Sequence, residues 1–201
     1  ATPLRETTAL HLSAVVSLSG VAEKLASNGV VVGFGGRIFV GQPELQSRIS
    51  GHYLGDTLSD SVARIEQMLI NGAEPVRPVP LPSKYRSAHR VLQARWPEIE
   101  AQAMAHVQPT HVTSGAMQTG ARHFYDALLA ALQLGTLDLL TGELAWVIGL
   151  MGHSDYSPAA LPAFLQAYRQ AMAALVGDEV EVVLTWLDER IAAMAQEVKS
   201  N

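Results

Sequence analysis

Apolar residues in the first 72 positions fall into short runs bounded by glycine or polar residues. Ala9–Val16 and Val30–Phe34 are almost continuously apolar, which is typical of strands buried on both faces of a parallel sheet. His52–Leu54 predicts a third short strand. Helical signals alternate with these runs, at Ser17–Ala26, Pro43–Ile49 and Thr57–Ile70. The alternation predicts a partial flavodoxin-like parallel sheet of about three strands with right-handed crossovers.

Prolines at positions 75, 78, 80 and 82 then interrupt the pattern, and residues 73–83 are expected to form a stiff, extended linker. Beyond the linker the apolar spacing is helical. Five helices are predicted, at Lys84–His106, Thr113–Leu134, Leu137–Met151, Pro158–Val176 and Glu179–Glu197. The predicted fold class is therefore α/β plus all-α, with an α/β domain at residues 1–72 and an antiparallel five-helix bundle at residues 84–201.

Composition narrows the classes of function. The net charge of −5, with no cluster of lysine and arginine, makes direct nucleic-acid contact by this chain alone unexpected. The chain has no cysteine, which excludes disulfides and thiolate catalysis. No apolar run approaches the roughly 20 residues that span a bilayer. We expect a cytoplasmic protein that does not bind membranes.

No set of residues predicts an enzyme active site. His106, His111, His123 and His153 could ligate a metal or haem, but no pair has the i, i+4 spacing of a helical metal site, so surface or core roles are favoured. The tryptophans and the acidic pairs do not indicate a particular chemistry either. Core packing explains Trp96, Trp146 and Trp186, and helix-end charge or a solvated face explains Asp178-Glu179 and Asp188-Glu189.

The feature most suggestive of binding is the pair Gly35-Gly36 at the end of the predicted strand Val30–Phe34. Neither residue has a Cβ, so a ligand or another backbone could approach closely. Ligands of open α/β sheets bind outside the carboxyl ends of the strands, where this pair is expected. A tight turn with no ligand is the alternative, and spacing alone favours it.

The stretch VVVGFGGRIFVGQPELQSRISGHYLGDTLSDSVARIEQML resembles the last portion of cobalamin-binding domains, as in methionine synthase and the cobalamin-dependent transcriptional regulators of the MerR type. The resemblance covers roughly residues 7–71. It implies a cobalamin site that includes Ser13, Val15, Gly35, Gly36, Tyr53 and Leu54. Ser13 would lie near the nucleotide tail, and the two glycines would line its slot. Val15 replaces the family's leucine, and the family's D-x-H-x-x-G motif is absent from this sequence.

The resemblance also implies a function. It indicates a non-enzymatic regulatory or sensory protein that controls transcription or signalling through ligand-dependent changes in assembly. A half sheet leaves an edge open to another chain, so we expect a homo-oligomer or pairing with the missing N-terminal half of the same domain. The alternative is a protein-interaction or dimerisation scaffold with a degenerate, ligand-free α/β domain. A corrinoid-dependent methyl carrier or mutase subunit is less favoured, because no substrate domain accompanies it.

Overall fold

The computed structural model describes residues 8–106, 114–151 and 159–200. It divides into an N-terminal unit, Leu10–Pro80, and a helical unit from Leu81 onward. The elements of the N-terminal unit are α1 (Thr8–Ser27), β1 (Gly33–Phe34), α2 (Arg37–Gly41), a 3-10 helix (Pro43–Arg48), β2 (His52–Tyr53) and α3 (Leu58–Asn71).

The predicted flavodoxin-like sheet of about three strands is wrong. The described residues are mostly helical, and their sheet consists of β1 and β2 alone, with two residues in each strand. Ala9–Val16, predicted to be the first strand, lies within α1 instead. The main difference between the predicted and the observed fold is therefore that Ala9–Val16 is helical instead of extended.

Helix α1 forms because the apolar run continues into the next segment without a turn. Leu12, Val15 and Ala22 are buried, and their spacing of three and seven residues places them on one face of a helix. A short apolar run fits a buried strand or a buried helix equally well. Ser19 lies inside α1, and its hydroxyl donates to the carbonyl of Arg48 at 3.4 Å.

The two short strands pair in parallel, with Gly33 opposite His52 and Phe34 opposite Tyr53. The His52 amide also donates to the Val32 carbonyl at 2.8 Å. A methyl group on Gly51 would lie 2.7 Å from that same carbonyl oxygen, so the close approach of the strands requires glycine there. The glycine just before β2 thus permits the close approach of the two strands.

The extended segment after α3 lies against the N-terminal unit. The Val79 amide donates to the Ser47 carbonyl at 2.9 Å, and the Arg48 guanidinium donates to the Val79 carbonyl at 3.3 Å. A His52 ring nitrogen lies 2.9 Å from the Glu74 carbonyl oxygen. The proline-rich residues up to 80 are therefore bonded to this unit.

The helical unit is built from long helices. Its described elements are α4 (Ser83–His106), α5 (Ser114–Leu134), α6 (Leu139–Met151), α7 (Ala160–Leu175), a 3-10 helix (Gly177–Val180) and α8 (Glu181–Ser200). Helix α4 packs against α5, α7 and α8, and α7 also packs against α8. Each of these helices contributes fully buried apolar side chains to one core.

Aromatic rings form the centre of this core. Tyr168 of α7 is completely buried and stacks on Trp96 of α4, with ring centroids 5.2 Å apart and planes at 17°. Phe124 and Phe164 surround the Tyr168 ring at centroid distances of 5.3 and 4.7 Å. Aromatic contacts of this kind fix the relative positions of α4, α5 and α7.

Candidate functional site

The carboxyl ends of β1 and β2 bring two glycine-containing loops together, one at Gly35-Gly36 and one at Leu54–Thr57, which we call the strand-end loops. Gly36 is exposed with φ of 129°, a conformation that favours glycine, and a Cβ added there would meet nothing within 4 Å. A Cβ added to Gly35 would lie 3.9 Å from the carbonyl oxygen of Gly55. The loops are therefore adjacent, and the surface at Gly36 is open.

Aromatic and polar side chains lie next to these loops. Tyr53 packs near Phe34 and Phe39, with centroid distances of 5.8 and 6.1 Å. Its hydroxyl donates to the Asp56 carboxylate at 2.6 Å, and this hydrogen bond raises the pKa of Tyr53 above its ordinary value. This hydrogen bond joins the end of β2 to the loop that follows it.

The residues expected to bind cobalamin are only partly available for binding. Gly35 and Gly36 are exposed, and Tyr53 and Leu54 are half-buried beside them. Leu54 covers Gly33, since a Cβ at Gly33 would be 3.0 Å from the Leu54 side chain.

Helix α1 changes the other two expected positions. Ser13 lies on α1 with an exposed side chain, and Val15 is 3% exposed in the core of its own unit. Val15 therefore cannot contact a ligand in this conformation, and the six residues do not form the expected slot as a set.

A second feature, which sequence reasoning missed, is the apolar side of α3. Leu58, Val62, Ile65 and Leu69 recur at intervals of four, three and four residues, and we call this stripe the α3 face. All four are exposed, Leu58 by 83% and Leu69 by 79%, and α3 contains no buried residue. The amphipathic pattern of Thr57–Ile70 was visible in the sequence, but it did not reveal that this side faces solvent.

Capping interactions define the start of α3. The Thr57 hydroxyl accepts the Asp60 amide at 3.1 Å, and the Asp60 carboxylate accepts the Thr57 amide at 3.1 Å, which is a complete capping box. A Cβ at Gly55 would lie 2.5 Å from the Asp60 Cβ, so the strand-end loops contact the first turn of α3 directly. Gly55 therefore lies close to both Gly35 and the first turn of α3.

Other candidates from the sequence are structural or lie outside the described residues. Trp96 and Trp186 are core residues, and a ring nitrogen of His106 bonds the Gln102 carbonyl within α4. His123 is exposed on α5. His111 and His153 lie outside the described residues, as does the side chain of Trp146.

Residues 8–106, 114–151 and 159–200 contain neither a metal-binding cluster nor a membrane-spanning helix. No group of three or more histidine, aspartate or glutamate side chains in these ranges could hold a metal ion. None of the helices there is both long and apolar enough to cross a membrane.

Comparison with models of protein families, with curated proteins and with solved structures finds no match to this chain. Its function is therefore argued from its own residues.

Proposed function

We propose that this chain is a regulatory or sensory protein that acts through changes in its assembly, and that the α3 face is the surface through which copies associate. The observation that carries the proposal is an amphipathic, well-capped helix with no buried residue. Large exposed apolar patches on folded proteins commonly mark interaction sites.

Helix α3 has little within its own unit to stabilise it. It has 14 residues, and isolated helices of that length are marginal in water, because most helical stability in proteins comes from packing of an apolar face. Its capping box contributes only about 0.5–2 kcal/mol. Burial of leucine, isoleucine or valine contributes about 1.5–3 kcal/mol per side chain, so covering the α3 face would supply the missing stabilisation.

A second copy of the same helix is the occupant that the pattern favours. The spacing of the α3 face is the seam of a two-helix coiled coil. In that seam Val62 and Leu69 take the a positions and Leu58 and Ile65 the d positions, so Glu66 falls at e and Ser61 at g. In a parallel two-fold pair Glu66 of one copy faces Ser61 of the other, and no like charges meet beside the stripe.

The strand-end loops offer a route by which a ligand would alter this association. Gly55 contacts both the Gly35 position and the first turn of α3. A ligand that displaces Gly55 would shift the helix start and change the geometry of the α3 face. Assembly that responds to a ligand in this way is the regulatory mode proposed.

Sedimentation velocity over a range of concentrations tests the association. Ile65→Asp places a charge in the centre of the α3 face and should shift the chain to monomer. Gln67→Asp introduces the same residue on the opposite side of the helix and should leave the mass unchanged. A wild-type chain that stays monomeric at every concentration, or equal behaviour of the two variants, would overturn the proposal.

A second candidate function is corrinoid binding at the strand-end loops, which the open surface at Gly36 favours. The probe is cobalamin added to the full chain, followed by gel filtration and absorption spectroscopy. Retained corrinoid absorbance and a raised Tm, both lost in Gly36→Val, would support it, because a ligand that binds only the native state stabilises it. Absence of both signals in the wild-type chain would reject it.

A further inference from the structure

Two asparagine–glycine pairs lie at helix ends in the N-terminal unit. Asn28-Gly29 follows α1, and Asn71-Gly72 spans the end of α3. All four residues are exposed. In such a pair the backbone nitrogen of glycine can attack the side-chain amide carbon of asparagine, because glycine has no Cβ that obstructs the approach. The two pairs therefore have the same intrinsic chemistry, and the structure around each decides whether it reacts.

The turn after α1 is held by hydrogen bonds to both reacting groups. The amide of Gly29 donates to the Ala26 carbonyl at 3.0 Å, and the amide of the next residue donates to the Leu25 carbonyl at 3.0 Å, which together form a Schellman motif. The side-chain amide of Asn28 donates to the Lys24 carbonyl at 2.7 Å. Cyclisation would have to break these bonds, so the turn protects Asn28.

The end of α3 lacks such hydrogen bonds. Gly72 follows Asn71 with φ of 70°. Among the residues that the structure describes, none accepts a hydrogen bond from the amide of Gly72 or Ala73, and none bonds the side chain of Asn71. The last carbonyls of a helix have no partner within the helix, so an uncapped last turn opens readily. Asn71 and Gly72 are therefore held by neither a capping motif nor a side-chain bond.

From this contrast we infer that Asn71-Gly72 is a site of covalent self-modification by deamidation, whereas Asn28-Gly29 is protected by its turn. The nitrogen of Gly72 loses its proton, bonds to Cγ of Asn71 and displaces ammonia, which leaves a succinimide ring. Water opens the ring at either carbonyl and yields aspartate or isoaspartate. In sum, water is consumed, ammonia is released and one amide becomes one carboxylate, with no oxidation or reduction.

The modification alters the end of α3. A carboxylate at the C-terminal end of a helix is unfavourable, because that end of the helix dipole is negative. The last turn also carries Leu69, the final residue of the α3 face, which is 79% exposed. Residues two apart on a helix point in different directions, so Asn71 lies away from the stripe and stays accessible in a paired helix. If copies associate as proposed above, deamidation weakens that association; this consequence rests on the proposed function.

Peptide mapping of the full chain tests the inference. After incubation at mildly alkaline pH, trypsin cleavage after Lys24, Arg37 and Arg64 separates the two pairs, and mass spectrometry measures the conversion of amide to acid in each peptide. Asn71 should convert at least about tenfold faster than Asn28, which is about 1.4 kcal/mol in activation free energy. Equal rates, no conversion at Asn71, or faster conversion at Asn28 would overturn the inference.

The same chain in guanidinium chloride is the matched control. Neither the turn after α1 nor the end of α3 exists in the unfolded chain, so the two rates should become similar. A difference that persists unchanged would show that neighbouring residues cause it, and would refute the role of the turn. Isoaspartate must also appear beside aspartate, because hydrolysis without cyclisation gives aspartate alone; a product without isoaspartate would contradict the mechanism.

A variant at the glycine tests the attacking group. Gly72→Ala adds a methyl group that would meet nothing within 4 Å but obstructs the approach of the nitrogen to the asparagine side chain. Conversion at Asn71 should slow at least about fivefold, about 1 kcal/mol in activation free energy, while conversion at Asn28 is unchanged. An unchanged rate at Asn71 would contradict the proposed attack by this nitrogen.

Asn71→Asp reproduces the charge of one product and separates the modification from association. Amide exchange in the last turn of α3 should be about twofold to fivefold faster, and sedimentation velocity should show weaker association. Unchanged exchange would contradict the effect on the helix end. A wild-type chain that is always monomeric would reject association through the α3 face, but the two deamidation rates would still differ as predicted.

Discussion

The Tyr168→Phe variant tests whether the hydroxyl of Tyr168 is buried in the helical core without a hydrogen-bond partner. Tyr168 is fully buried, and its hydroxyl has no hydrogen-bond partner among the described residues. Burial raises the pKa of Tyr168 well above its ordinary value. Replacing it with phenylalanine removes the unsatisfied oxygen while keeping the ring that stacks on Trp96.

The magnitude follows from two opposing effects. Relief of an unsatisfied buried hydroxyl is worth about 1–3 kcal/mol. The void left by one oxygen, roughly the 10–15 Å³ of a water-sized probe, costs about 0.2–0.4 kcal/mol at about 24 cal/mol per Å³. Tyr168→Phe should therefore increase the free energy of unfolding by about 0.6–2.8 kcal/mol, which corresponds to a rise in Tm of about 2–11 °C at about 4 °C per kcal/mol.

Tryptophan fluorescence during urea denaturation follows the unfolding of the helical unit, because all three tryptophans lie after residue 81. Tyr125→Phe is the matched control: its ring lies 4.6 Å from Trp96, but the side chain is only half-buried, so little change is expected. A loss of 1 kcal/mol or more in Tyr168→Phe would show that the hydroxyl is bonded and would refute the reasoning.

Alkaline pH gives a second readout of the same residue. A tyrosine whose pKa is raised in the folded state contributes stability that is fully present below the unfolded pKa of about 10 and is lost as pH rises above it. Tyr168→Phe should therefore unfold less readily than wild type above pH 10. An identical alkaline transition in the two proteins would contradict the buried environment described.

Three further predictions concern other positions. Burial raises the pKa of Glu143, so the stability that its protonated form contributes is lost as pH rises above about 4.5. Glu143→Gln should therefore raise Tm at pH 7.5 but not at pH 3.5, as measured by circular dichroism. An equal shift at both pH values would count against this. Gly51→Ala should destabilise the N-terminal unit by about 1–3 kcal/mol, because its methyl group meets the Val32 carbonyl, and faster amide exchange of His52 would report it. Thr57→Ala should lower the protection of α3 amides by about 0.5–2 kcal/mol through loss of the capping box, and unchanged exchange would contradict that role.

Helix caps, glycines at strand ends and repeated apolar spacing predicted the positions of several elements correctly. The start of α3 could be placed because Thr57 and Asp60 have capping-box spacing, and the glycines around β2 marked its ends. The helices after Leu81 lie within about three residues of their expected positions, because their apolar spacing repeats over several turns.

The first segment could not be assigned in this way. Ala9–Val16 has the composition of a buried strand, but it continues into Ser17–Ala26 as one helix, and only the burial of Leu12, Val15 and Ala22 on a single face reveals this. The same limit applies to the binding residues, because Val15 changes from an expected ligand contact to a core residue once the segment is helical. The resemblance placed Ser13 and Val15 in a binding site, whereas both lie on α1.

The exposure of the α3 face also lay beyond the sequence. Apolar spacing in Thr57–Ile70 predicts that one side of the helix is covered, but it does not identify what covers it. The structure leaves Leu58, Val62, Ile65 and Leu69 in solvent.

Single-cysteine cross-linking reports whether two copies meet through the α3 face, because the chain has no cysteine of its own. Under oxidising conditions, Ile65→Cys should form a disulfide-linked dimer rapidly, since the centre of a helix seam brings equivalent side chains together. Gln67→Cys, on the opposite side of α3, should remain largely monomeric. Equal rates of cross-linking for the two variants, or no dimer from Ile65→Cys, would contradict the account.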